Sequence, residues 1–165
     1  MERSHSELEG LCRRCGQACH AGIALEGKTI MIEDLHCTFL GHEDDGSTFC
    51  TVYDTRFEKA PWCHTVDAAL VGGLLGSDCP FAQNTPDYQG KEWLYKNTDP
   101  RMVQYFEGAL RELILKEGIE HWISKEGLLR FLARTGGGNW RVELNSDGNR
   151  LLVQSDTIKS DNKEE

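Results

Sequence analysis

A chain of 165 residues has room for one domain, or a domain and a small appendage, and its 39% hydrophobic content allows only a modest core. The net charge of −9, with no run of Lys or Arg, argues against nucleic acid as the main partner, because neutralising phosphates takes a basic surface. No apolar run approaches the roughly 20 residues of a membrane helix and the start of the chain lacks an apolar leader, so the expectation is a soluble, cytoplasmic protein with no membrane partner.

Residues 1–10 are polar and expected to fray. Residues 11–22 carry the dense cluster Cys12-Arg13-Arg14-Cys15-Gly16-Gln17-Ala18-Cys19-His20. A Cys-x-x-Cys pair is the spacing by which a tight turn offers two thiolates to one tetrahedral ion. Gly16 follows at the point where the backbone must turn its amides toward sulfur. Ile23 to Leu25 and Thr29 to Ile32, separated around Gly27, read as a small strand pair or a loop plus strand. His36-Cys37 opens a second arm, and Gly41 to Ser47 is an acidic, glycine-flanked stretch that reads as an exposed hairpin tip.

Phe49 to Arg56 suits a short strand or a turn leading into a helix. Pro61-Trp62-Cys63-His64 follows, with Trp62 offering apolar shielding to a metal–thiolate centre. Thr65 reads as the N-cap of a helix that stops at Gly72, Gly73 or Gly76, and Cys79-Pro80 brings in the last thiol at a turn. Residues 83–98 read as a linker packed by Trp93 and Tyr95. From Asp99 to Lys116 the apolar positions Met102, Val103, Phe106, Leu110, Leu113 and Ile114 form a helical stripe, with Asp99 as cap and Pro100 in the first turn. Ser124 caps a second helix to Arg134, and the alternation of Trp140, Val142 and Leu144 with Leu151 and Val153 predicts a β-hairpin. Residues 155–165 are charged and read as a disordered tail.

The expected fold class is therefore α+β. A small, loop-rich, metal-stapled cysteine domain spans 10–82, the linker 83–98, and a C-terminal helix–helix–β-hairpin region 99–154. All seven cysteines, Cys12, Cys15, Cys19, Cys37, Cys50, Cys63 and Cys79, fall in the first unit. Their number is odd, so complete internal pairing as disulfides is impossible, and a reducing compartment favours metal binding or redox work. Thiolates with histidine support favour zinc or iron over magnesium or calcium. His20, His36 and His64 each neighbour a cysteine, and His20 is the one read as a candidate ligand.

Cys12-x-x-Cys15-Gly-x-x-Cys19, Cys50-Thr-Val-Tyr53-x-x-Arg56, Pro61-x-Cys63 and Cys79-Pro80 together resemble the YkgJ-type cysteine-cluster family, described as chelating zinc or iron. The resemblance covers roughly residues 10–82, and Cys-x-Val-Tyr-x-x-Arg is its most specific part. The family pattern usually closes its first cluster with a Cys-Cys pair. Aligned without a gap, Ala18 stands for the first of that pair and Cys19 for the second; with one insertion, Cys19 and His20 take those places. The resemblance implies a metal-binding protein with one or two zinc or iron centres.

The alternative is an iron–sulfur or open-iron-site enzyme or redox protein, although the first cluster does not match the ferredoxin-type run. No Ser-His-Asp order, phosphate-cradling glycine loop or His-Glu-x-x-His is present, so no catalytic residue is assigned. The metal ion is the expected partner, and the C-terminal helices and hairpin offer a surface for a protein partner.

Overall fold

The structure is a computed structural model that describes residues 10–96, 98–136, 138–144, 146 and 150–154. The expectations for the first nine residues and for the tail at 155–165 lie outside the described residues. The fold is α+β, with small sheets and α-helices among the described residues.

Strands β1 (Ile23–Leu25) and β2 (Lys28–Met31) pair antiparallel. Strands β3 (Leu40–His42) and β4 (Thr48–Cys50) form a second hairpin. Helices α1 (Arg56–Lys59) and α2 (Val66–Val71) are short. Strand β5 (Lys91–Trp93) then adds to β2 in parallel, giving the order β1-β2-β5. Helices α3 (Pro100–Glu117) and α4 (Lys125–Arg134) lead to strands β6 (Trp140–Leu144) and β7 (Arg150–Gln154), which pair antiparallel from Trp140↔Gln154 to Leu144↔Arg150.

Local chemistry sets most of these boundaries. The Asp99 carboxylate accepts from the Arg101 amide at 2.8 Å and Pro100 opens α3. Thr65 Oγ1 accepts from the Ala68 amide and Ser124 Oγ from the Gly127 amide, both at 3.2 Å. The hairpin tip between β3 and β4 is closed by the Ser47 amide on Asp45 Oδ1 at 2.8 Å.

The stretch expected to be a linker contributes β5, and Leu94 beyond it is a core residue. A strand of three residues is too short to show a period of two, and it is held by a partner far away in sequence.

One core joins the cysteine-bearing half to the helices. Ile32, Leu35 and Leu94 pack with Ile114, Ile123, Leu128, Phe131 and Leu132, and Trp140 and Val142 of the hairpin lie against them. Backbone bonds cross the same seam: the Thr38 amide donates to Trp122 O at 2.9 Å and the Ser124 amide to His36 O at 2.7 Å. Arg130 and Arg134 reach Asp34, and Arg134 also meets Glu107, whose Oε1 accepts the Tyr95 hydroxyl proton at 2.7 Å.

Gly108 stands in the middle of α3, and a Cβ there would meet nothing within 4 Å. Gly108→Ala is therefore expected to stabilise the chain by about 0.5–1 kcal/mol, through backbone entropy lost from the unfolded state. A midpoint of urea unfolding that fails to rise would contradict this.

Candidate metal centre

The first cluster is a knuckle held at both sides. Gly16 has φ +71°, and a Cβ on it would lie 2.9 Å from Thr48 Oγ1, so glycine is required both for the turn and for the approach. The Cys19 amide donates to Gly16 O at 2.9 Å, closing a tight turn over Gln17–Cys19. The Arg14 amide points at Cys12 Sγ at 3.4 Å, the kind of donor that steadies a thiolate. Thr48 fixes the knuckle to β4: its amide and its hydroxyl donate to Arg14 O at 2.8 and 3.0 Å. Arg13 fixes the other side by donating to Asp78 O at 3.0 Å and pairing with the Asp78 carboxylate at 3.2 Å. That clip brings Cys12 and Cys15 beside Cys79.

A second set of thiols assembles by strand-like pairing. The Cys37 amide donates to Cys19 O at 2.7 Å and the Ala21 amide to Leu35 O at 2.8 Å, so His20 and His36 face each other across an antiparallel bridge. That bridge sets Cys19 beside Cys37, and His20 borders the same cavity as both. The Leu40 amide returns to Cys37 O at 3.1 Å, Cys50 lies opposite Leu40 in the β3–β4 hairpin, and the Cys63 amide turns back on Ala60 O after α1. Cys19, Cys37, Cys50 and Cys63 consequently line one cavity of about 410 Å³. An adjoining cavity of about 480 Å³ is lined by Cys12, Cys15 and Cys79, with Cys19 and Cys50 on the wall common to both.

The electrostatics follow this arrangement. Burial pushes the Cys19 thiol up to about 12, and the neighbouring Cys37, Cys63 and Cys50 push it the same way. Burial also raises Cys63, with Arg56 opposing. Cys79 is raised by burial and by Cys15 and Cys12, against the Phe81 amide and Arg13. Without a metal, proximity of the sulfurs thus disfavours thiolate, and a soft cation that binds them must displace protons.

All seven cysteines are free thiols; Cys12 and Cys15 are exposed and the other five half-buried. Among the described residues no group of three or more His, Cys, Asp or Glu is placed to hold a metal ion. The fold thus gathers the sulfurs around two cavities without converging them on a point. The donor set suits zinc or iron in type, and Trp62 Nε1, buried without a hydrogen-bond partner beside the inner cavity, is a spare donor for sulfur.

Each histidine has its own place. His20 is 5% exposed, its Nδ1–H donates to Gly16 O at 2.8 Å, and its ring meets His36 and the edge of Trp93. His36 Nδ1–H donates to Cys37 O at 2.9 Å. His64 is exposed next to Cys63. His42 and His121 are exposed, touching His36 and Trp62 respectively. Arg56 stacks over Tyr53 at 4.1 Å and Phe57 at 4.4 Å while donating to Tyr53 O at 2.7 Å.

Lys91 is the residue the sequence did not single out. It is 2% exposed, and its ammonium donates to Ala18 O at 3.1 Å and His20 O at 2.7 Å, the carbonyls on either side of Cys19. Burial lowers its pKa to about 8, against the pull of Cys19 and Cys15. A cation here both braces the Cys19 turn and offsets charge that would collect on the sulfurs. Only its place one residue after Gly90, in a segment with no period, could have drawn notice.

The chain is 33% identical over 89 residues to an uncharacterized protein of Methanocaldococcus jannaschii, covering 53% of this chain and 61% of that one. It is 34% identical over 83 residues to a UPF0260 protein of Granulibacter bethesdensis, covering 48% of each. The chain therefore spans about three fifths and about half of the curated relatives it matches. No family model and no solved structure matches it. No helix among the described residues is long and apolar enough to cross a membrane.

Proposed function

We propose that this chain is a metal-binding protein of the YkgJ type, which holds zinc or iron through its clustered cysteines. The observation that carries this reading is the gathering of Cys19, Cys37, Cys50 and Cys63, distant in sequence, around one cavity beside a buried ammonium. Nothing about hydrophobic packing alone calls for four thiols there, and tetrahedral zinc or a cubane iron–sulfur cluster uses that number. His20 lines the same cavity and donates its Nδ1–H to Gly16 O, the arrangement that leaves the other ring nitrogen to a metal, so it stays a candidate ligand beside the sulfurs. Seven free thiols support a reducing, cytoplasmic setting. The relatives' names carry no metal, so support comes from the motif and the geometry.

Metal analysis of protein purified without oxygen tests the reading. The expected result is stoichiometric zinc or iron, with thiols that react with iodoacetamide only after a chelator is added. Visible bands that bleach on reduction would assign the iron–sulfur form, and a colourless zinc protein would remove it. Folded protein that carries no metal, takes up none and shows every thiol reactive would end the proposal.

A further inference from the structure

The seven thiols are not one set. Cys19, Cys37, Cys50 and Cys63 are tied together by the bridge at His20 and His36 and by the β3–β4 hairpin. Cys12, Cys15 and Cys79 are tied by the Arg13–Asp78 clip. The hairpin also holds the Cys12–Cys15 knuckle through Thr48 and Arg14 O, so the two sets stand side by side. The cavities divide the thiols in the same way: Cys37 and Cys63 line the inner one and not the outer, Cys12, Cys15 and Cys79 the outer one and not the inner, and Cys19 and Cys50 stand on the shared wall.

Surroundings differ too. The first set borders Trp62, Lys91, His20 and His64. The second opens outward, with Cys12 and Cys15 exposed and Phe49, Tyr53, Val66 and Phe81 around it. Phe49, Tyr53 and Val66 are 39%, 51% and 42% exposed, an apolar rim at the mouth of the outer cavity.

We propose that the cysteines build two unlike metal centres: a closed one from Cys19, Cys37, Cys50 and Cys63, and an open one from Cys12, Cys15 and Cys79. The inference rests on the metal-binding reading above and extends it. Four protein sulfurs complete a tetrahedral ion and leave no place for a further ligand, which is the structural arrangement. Three sulfurs leave the fourth position to water or to a small exogenous donor, which is the arrangement of a site that exchanges or reacts. The apolar rim favours a donor attached to an apolar body over a bare anion.

Cobalt(II) is the probe, since its visible spectrum reports sulfur coordination, and the 165-residue chain is titrated anaerobically. Two equivalents are expected, and imidazole should shift the spectrum of one and leave the other unchanged. Cys12→Ser with Cys15→Ser should lose the imidazole-sensitive equivalent alone. Cys37→Ser with Cys63→Ser should lose the other. A single equivalent abolished by either pair means one shared centre and overturns this inference while the metal-binding reading stands. No cobalt uptake at all sinks both. If the Cys37/Cys63 variant does not fold, the exposed Cys12/Cys15 variant decides: one insensitive equivalent retained supports two centres, and none retained overturns them.

Discussion

Gly127→Ala should cost the chain about 3 kcal/mol of stability, although alanine is the better helix former. Gly127 lies in the first turn of α4, and a Cβ built there would sit 2.0 Å from Asp34 O and 3.1 Å from its carbonyl carbon. The obstacle is backbone, so no rotamer change relieves it. Either α4 withdraws or the segment from Ile32 to His36 does, and each move opens the seam that Leu35, Leu128 and Phe131 close. The Ser124 amide to His36 O bond and the Arg134–Asp34 pair lie on the same seam and would lengthen with it. Helix propensity returns at most about 1 kcal/mol. For a chain of this size the net loss corresponds to a fall in Tm of roughly 10 °C. Thermal unfolding followed by circular dichroism measures it, and a Tm equal to or above that of the parent would show that the seam is not close-packed at this point. Gly108→Ala, with open space around it, is the matched control and should move the other way.

The contrast between those two glycines shows what the sequence could and could not reveal. Asp99, Ser124 and Thr65 announce helix starts because capping is local: a side chain satisfies an amide two or three residues on. The stripe from Val103 to Ile114 and the alternation at Trp140 and Val142 likewise repeat often enough to be recognised. Gly127 carries no such signal, since its need arises from a carbonyl at Asp34, ninety-three positions earlier. Lys91 is silent for the same reason, because the carbonyls it serves belong to the Cys19 turn. The cysteines themselves were legible as candidates by spacing and by neighbours such as Tyr53 and Arg56. Their division into two groups was not, because it follows from the Arg13–Asp78 clip and the His20–His36 bridge, which join distant segments.

The metal-free chain should lose about 3 kcal/mol of stability between pH 7 and pH 4 through His20 alone. Burial holds the His20 imidazole down at about 4, from an ordinary 6.5, and its neighbours His36 and Lys91 act in the same direction. The Gly16 and Glu33 backbone favours the proton but does not offset the burial. In the unfolded chain the same ring takes up a proton near its ordinary value. Between the two values the unfolded state therefore binds more protons than the folded one, so stability is full above about pH 6.5 and falls as the pH drops toward 4. His20→Asn keeps a small donor near Gly16 O but removes the titration. It should be less stable than the parent at neutral pH and show a shallower decline toward acid. Urea unfolding of both chains with a chelator present, at steps from pH 7 to pH 4, makes the comparison, and carboxylates that titrate in both cancel in the difference. Parallel profiles would mean that the folded interior admits the imidazolium, and that the bridge between His20 and His36 opens to solvent well before the rest of the fold does.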